Sequence, residues 1–405
     1  MERGETEAPT RSERRGRSLP RFRNGLARVR SRRREILRFQ SGHRIDLYSR
    51  GRAAIDAMIE AIDRAEHHVH LETYIFRADE TGRRVLSHLE ARAARGVAVR
   101  VIIDAIGSRG LDRHALEPLV RAGGRIVEFN PPSQWLTRFR PRQRDHRKLL
   151  IVDSAVAFLG GLNIGDEYVE EDASGPRWRD AHLRLEGPGL TELQALFVEN
   201  WFRCDGESFE WRTLVATDRR SKGDRSVAIL ADGPMYPRRR MRSFFLEELE
   251  RARSHVLLVT PYFAPGPIVL DALGEAGDRG VRVELLIAGH SDHPILRRAA
   301  REFVPRLLQK GVRVFEDPHR MMHAKLAVFD DSLSVVGTSN LDRQSLHHSC
   351  EVNAVIEGHE TADWILEHFG TDVFDVSPID RALLARRPPW TRTIDRLAAL
   401  AARMM

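Results

Sequence analysis

One order of apolar and polar positions runs through the chain twice. In each copy a helical period leads into an unbroken apolar run, with Ala53 to Ala65 preceding the first and Arg242 to Arg253 the second. A second helical stretch follows, Gly82 to Arg95 and Ile268 to Arg279, and a Gly-Val step then opens another apolar strand, Ala98 to Asp104 and Arg282 to Ile287. Strands that are apolar on both faces and alternate with helices predict α/β units. Their sheet should be mixed, mostly parallel, and covered by helices on both sides.

The residues recur along with the pattern. His68-Val69-x-Leu71-x-Thr73-x-x-Phe76 returns as His255-Val256-x-Leu258-x-Thr260-x-x-Phe263, and Arg95-Gly96-Val97-x-Val99 as Arg279-Gly280-Val281-x-Val283. Gly124-Arg125-Ile126-Val127 is echoed by Gly311-Val312-Arg313-Val314, so the three offsets are 187, 184 and 187 residues. Three echoes in one order indicate a duplicated domain. The expected organisation is an Arg-rich tail over 1–42, a first half over 43–216, a polar link over 217–225, a second half over 226–380 and a C-terminal amphipathic helix over 381–405. In that last segment Ile394, Leu397, Ala398 and Ala401 recur at helical spacing, with Arg392, Arg396 and Arg403 elsewhere around the helix. Docking on the protein's own core is the default expectation for it, and an interfacial helix the alternative.

Charge changes the picture at one end. The 405 residues carry a net charge of +7, yet residues 1–42 hold thirteen Arg against five Glu, or +8, which leaves the remainder near neutral. A nucleic-acid binder would spread cation over its folded body; here the cation is a tail, so no nucleic-acid partner is expected. The tail reads as disordered. Its alternative is a membrane-surface segment, with Leu19, Phe22, Leu26, Val29, Ile36 and Phe39 inserting while arginines meet anionic headgroups. No run of 18 apolar residues and no signal-peptide core are present, so neither a membrane span nor secretion is expected. Two cysteines, Cys204 and Cys350, form no disulfide framework and no metal-ligand spacing.

The candidate chemistry sits in the repeat. His146-x-Lys148-x4-Asp153-x6-Gly160-Gly161-x-Asn163 matches His323-x-Lys325-x4-Asp330-x6-Gly337-Thr338-x-Asn340 at every interval. Residues i and i+2 of a strand share a face, so each His and Lys project together. The apolar runs Leu149 to Val152 and Leu326 to Phe329 read as buried strands, with turns at Asp153-Ser154 and Asp331-Ser332 returning the chain to the Gly-x-Asn step. Asn163 and Asn340 thereby come back beside the His-x-Lys ends, where a bound anion could accept their N–H bonds. Asp153 and Asp330 belong to the motif but fall near the turns, where a structural role is expected. Only four of the 65 basic Lys/Arg side chains are lysines, and two of these are Lys148 and Lys325. A slim ammonium can crowd a phosphoryl oxygen beside a histidine where a planar guanidinium cannot.

The duplicated pattern resembles the signature of the phospholipase D superfamily. Gly160 to Tyr168 (GGLNIGDEY), Trp178 to Pro188 (WRDAHLRLEGP), Thr260 to Phe263 (TPYF) and Gly337 to Asn353 (GTSNLDRQSLHHSCEVN) look like bacterial cardiolipin synthases. The likeness runs from about Gly42 to Asp375 and departs at the N-terminus, where many members carry two membrane-spanning helices; this chain looks like the shorter branch. The resemblance implies two α-β-α sandwich halves related by a pseudo-twofold axis, with one active site at their interface. Its catalytic set would be His146, Lys148, Asp153, His323, Lys325 and Asp330.

It also implies phosphatidyl transfer through a phosphohistidine, with His146 as nucleophile and His323 as acid/base; the sequence alone leaves that assignment open. A nucleophilic histidine needs a carboxylate on its other nitrogen, and Asp180 and Glu351 lie at matching places after the two Asn residues. Ser345 and Thr338 could add hydroxyl contacts to phosphate. Neither metal nor cofactor is expected, the cationic work falling to the two lysines. The implied substrate is phosphatidylglycerol, with a second molecule as acceptor and glycerol released, at the cytoplasmic face of an anionic membrane. Rival readings are a phosphodiester hydrolase of the same superfamily and a non-catalytic scaffold, the latter disfavoured by the presence of both histidines.

Overall fold

The strands of the main sheet occur in the same order in both halves. The first half supplies β1 (Gln40–Tyr48), β2 (His68–Thr73), β3 (Ala98–Asp104), β4 (Arg125–Phe129), β5 (Leu149–Val152), β6 (Val156–Gly160) and β7 (His182–Glu186). The second supplies β8 (Arg225–Asp232), β9 (His255–Thr260), β10 (Arg282–Ala288), β11 (Arg313–Asp317), β12 (Leu326–Phe329), β13 (Leu333–Gly337) and β14 (Glu351–Glu357). The structure is a computed structural model and describes residues 37–135, 140–172, 175–204, 206–207, 221–233, 239–370, 378–380, 382, 384 and 388–404. The tail to residue 36 and residues 217–220 of the polar link therefore lie outside the described residues.

All fourteen strands join in one sheet, ordered β11-β10-β9-β12-β13-β14-β8-β1-β7-β6-β5-β2-β3-β4. Read outward from the β8–β1 seam, the two sides are the same path. The seam itself pairs equivalent strands antiparallel, with Gln40 opposite Val227 and His43 opposite Arg225, as a local twofold requires. The mixed sheet expected from the sequence is present. Its parallel pairs, however, are confined to β2-β3-β4 and β9-β10-β11, and the other pairings are antiparallel. The reason is local. Val152 and Phe329 close tight turns to Ala155 and Ser332, and such turns join only antiparallel neighbours. In the second copy the turn's central residues are Asp330-Asp331, one position earlier than the sequence pattern places them; both have positive φ, like Asp153 and Ser154.

Helices cover both faces of the sheet. On one face α1 (Gly51–Asp63) and α2 (Glu80–Ala93) pack on the first half, while α4 (Arg240–Arg251), α5 (Pro267–Asp278) and α6 (Pro294–Gln309) pack on the second. On the other face α3 (Leu190–Arg203) and α7 (His359–Phe369) close a single core that draws on both halves, from Ile151 and Trp201 to Val328 and Phe369. The halves thus share one core and keep one each, which fixes their relative placement. Leu37 is buried and Phe39 packs beside it against the second half, so the folded body begins before residue 43 and Phe39 is not part of a free membrane-surface segment. The C-terminal helix α8 (Pro389–Met404) lies on α6 through Ala398, Ala399 and Ala402. Ile394 and Leu397, expected on its docking face, instead point outward. Among the described residues no helix is long and apolar enough to cross a membrane.

Candidate active site

The motif histidines meet because the strands they lead into, β5 and β12, face each other across the core that the two halves share. His146 precedes β5 and its N–H donates to the Cys350 carbonyl of the second half at 3.0 Å, while the His323 N–H donates to the Arg179 carbonyl of the first at 2.7 Å. Both rings line one cavity of about 420 Å³, together with Asn163, Asn340, Tyr262 and Ser345.

The orienting carboxylates cross between the halves. His146 Nδ1 lies 3.1 Å from Glu351 Oε1, and His323 Nδ1 lies 2.6 Å from Asp180 Oδ2. A carboxylate at Nδ1 keeps the ring proton there and leaves the Nε2 lone pair free. The two carboxylates are held differently. Glu351 accepts the Thr338 hydroxyl, whereas Asp180 accepts the Ala181 N–H at 2.8 Å and packs against Gly161, the residue equivalent to Thr338. A Cβ at Gly161 would stand 1.9 Å from Asp180 Oδ1, so the shorter acid requires the glycine.

Both lysines are buried behind the histidines. Lys148 Nζ donates to the His146 carbonyl at 2.7 Å; Lys325 Nζ donates to the His323 carbonyl and stands 2.9 and 3.1 Å from that ring's two nitrogens. Burial, reinforced by the charge of Lys325, pulls Lys148 down to about 7. Burial lowers Lys325 to about 8 although Asp180 and Glu351 oppose it. Burial likewise lowers His146, against the pull of Glu351, and takes His323 well below the ordinary imidazole value with help from Lys325. Burial raises Asp180 to about 6, with Lys325 opposing. For Glu351 burial is outweighed by His146, Lys148 and Thr338 together, and the carboxyl sits below its ordinary value. The result is a buried cluster of groups that holds cations at a cost and is suited to an anionic occupant.

Asp153 and Asp330 are not in this cavity. Each lies five residues beyond its lysine, about 16 Å of extended chain. Asp153 accepts the N–H groups of Glu66, His67 and His68, and Asp330 those of Arg253, Ser254 and His255, so each pins the start of β2 or β9 to its turn. Their inclusion in a catalytic set is therefore corrected: they hold the strands that carry the chemistry.

The two asparagines differ. Asn163 spends its amide on Tyr168 Oη at 2.7 Å and its oxygen on the Ile75 N–H at 3.1 Å, whereas buried Asn340 Oδ1 meets no protein partner. The Ser345 N–H is bound by the Asp342 carboxylate at 2.8 Å, which leaves the serine hydroxyl beside the cavity.

Sequence reasoning missed the aromatic walls. Tyr74 meets His146 edge-on and lies 5.4 Å from Lys148 Nζ, while Tyr168 and Trp178 pack against His323. Tyr262 donates to Asp292 at 2.6 Å. A signal for two of these existed. Tyr74 and Tyr262 fill the variable positions of the repeated Thr-x-x-Phe step, where Thr73 and Thr260 each donate to the carbonyl two residues on at 3.1 Å and turn the chain into the site.

Comparison with known proteins agrees with this geometry. Residues 58–173 and 245–373, more than half of the chain, match the family described as "Cardiolipin synthase, PLD-like domain". The cardiolipin synthase of Alkalihalophilus pseudofirmus is 33% identical over 351 residues, covering 86% of this chain and 70% of that protein. Cardiolipin synthase 1 of Bacillus anthracis is 34% identical over 334 residues, covering 80% and 65%. Among solved structures, phosphatidylserine synthase of Haemophilus influenzae superposes with a TM-score of 0.71 at 13% identity over 94% of this chain and 99% of its own. Polyphosphate kinase of Porphyromonas gingivalis gives 0.57 at 15% identity over 90% and 53%. At these identities the two structures speak for the fold alone. The matched halves, the twin His-x-Lys motifs and these relatives place the chain in the cardiolipin synthase family of phospholipase D superfamily phosphatidyltransferases.

Proposed function

We propose that the protein makes cardiolipin from two phosphatidylglycerol molecules through a phosphohistidine, without a metal ion. The observation that carries this reading is the pair of histidines on one cavity, each with its Nδ1 engaged by a carboxylate of the opposite half. His146 Nε2 attacks phosphorus of the first lipid and the bond to its headgroup glycerol breaks; His323, protonated on both nitrogens once the negative charge of the bound phosphate offsets its burial, gives its Nε2 proton to the departing alkoxide, and glycerol leaves. His323 then takes the proton from a headgroup hydroxyl of the second lipid, whose oxygen displaces His146 from phosphorus. One phosphodiester replaces another, so no nucleotide energy is consumed. Lys148 and Lys325 neutralise the nonbridging oxygens, and Asn340, on the same cavity wall, can turn its amide N–H toward them. His146 suits the nucleophile because its side chain is 12% exposed, against 5% for His323, which is enclosed by Tyr168 and Trp178.

The enzyme would work at an anionic membrane surface, peripherally and on the cytoplasmic side. Incubation with phosphatidylglycerol vesicles, read by mass spectrometry, tests the reaction: cardiolipin and glycerol are expected. Phosphatidic acid in their place would make the protein a phospholipase. His146→Ala and His323→Ala should each remove turnover, and enzyme quenched in alkaline denaturant, where a phosphorus–nitrogen bond survives, should carry lipid phosphorus only while His146 is present. Turnover surviving in either variant overturns the shared site. Fractionation of intact cells, with protease added to the outer surface, tests the location.

A further inference from the structure

The C-terminal helix offers water an apolar face that the fold does not use. Trp390 is 62% exposed, Ile394 36%, Leu397 61% and Leu400 53%, and at helical spacing they form one stripe opposite the Ala398 and Ala402 face packed on α6. Ile295, at the start of α6, is 50% exposed as well. Most of the large exposed apolar side chains of the described residues thus gather on this one pair of helices. Exposed Arg392 and Arg396 flank the stripe. The same helices reach the active site, since Ala402 of α8 and Leu296 of α6 line the catalytic cavity, with Arg142 and Arg343 on its wall.

We infer that the outward face of α8 docks on an anionic phospholipid bilayer and so holds the mouth of the catalytic cavity against the lipid surface. This rests on the reading that the substrate is a bilayer phospholipid. An apolar stripe with an indole at one end and arginines at its margin matches the acyl–headgroup boundary, where tryptophan and leucine insert and guanidinium meets phosphate. Continuity with the cavity argues for a bilayer over a second protein copy. A partner chain seated on α8 would stand beside the entrance, whereas a bilayer there delivers substrate to it.

The test uses Leu397→Cys carrying a polarity-sensitive fluorophore, with Val120→Cys, 53% exposed on the first half, as the control; native Cys204 and Cys350 are buried and stay unlabelled. Mixed phosphatidylglycerol and phosphatidylcholine vesicles should shift the emission of the 397 probe to the blue and leave the 120 probe unchanged. The triple variant Trp390→Ser, Leu397→Ser, Leu400→Ser should lose at least about tenfold of its turnover on vesicles, and keep its turnover of a short-chain, monomeric phosphatidylglycerol. A 397 probe that stays in water on vesicle-bound protein, or full vesicle turnover by the triple variant, overturns the inference. A concentration-dependent dimer abolished by the triple variant, with no vesicle shift, assigns the face to a second copy and overturns it too. Absence of turnover on every lipid would instead count against the proposed function, with the probe shift still deciding the docking.

Discussion

His323 of the second half draws its Nδ1 carboxylate from Asp180 of the first, at 2.6 Å, and His146 reciprocally draws Glu351 from the second. Each catalytic imidazole is therefore aligned by the half that does not carry it. Asp180→Asn and Glu351→Gln should each lower kcat about 10–100-fold with a smaller change in KM, because the ring loses its fixed tautomer while the cavity keeps its shape. Steady-state kinetics on phosphatidylglycerol vesicles measure this; a change confined to KM would contradict it.

Gly161 is the neighbour that lets Asp180 reach His323. Gly161→Ala places a methyl 1.9 Å from the Asp180 oxygen and should lower kcat as far as Asp180→Asn does, with little further loss when the two are combined. Additive losses in the double variant would show that Gly161 acts on something else.

The two lysines give the alkaline limb. With Lys148 near 7 and Lys325 near 8, activity that needs both ammonium groups should fall as pH rises through 7 to 8 in the free enzyme. A bound anionic substrate should move that limb upward. Stability runs the other way: the folded pKa of Lys148 lies below its unfolded value, so the unfolded chain binds more protons between them and stability rises with pH across that window. Lys148→Met should thus abolish turnover yet raise stability at pH 7 by roughly 1–4 kcal/mol, as read by denaturant unfolding.

Arg147 lies between His146 and Lys148 and points the other way. It is 1% exposed, donates to the Glu351, Leu196 and Asp232 carbonyls, and stands 3.6 Å from Glu72, so it ties the first half to the second. Arg147→Ala should cost about 3–5 kcal/mol by stranding Glu72 and three carbonyls, with activity lost through the displaced His146. Chemical denaturation checks the loss.

Much of this is legible in the sequence. The duplication, the first two helices of each half and the His-x-Lys placement follow from periodicities of 2 and 3.6, which depend on neighbours in the chain. What escaped depends on neighbours in space. Asp180 and Glu351 stand out by position, but nothing in the sequence says that each serves the opposite histidine. Helix α6 has only a short counterpart in the first half, a 3-10 turn at Arg113–Leu116 and a five-residue helix at Glu117–Arg121, and Pro305 interrupts its pattern. On α8 the apolar residues were visible, but only packing showed that alanines take the inner face and Trp390, Leu397 and Leu400 the outer.

The seam between β1 and β8 has a consequence for how such a chain could arise. Cut apart, each half would present that strand as an open edge, a template for pairing with any other chain. Two copies meeting edge to edge satisfy each other's backbone and leave only β4 and β11 at the rims. A homodimer of single halves, closed by its own symmetry, already has this arrangement. Joining the two in one chain removes the concentration dependence of that closure, and it frees each copy to diverge, as Gly161 and Thr338 have.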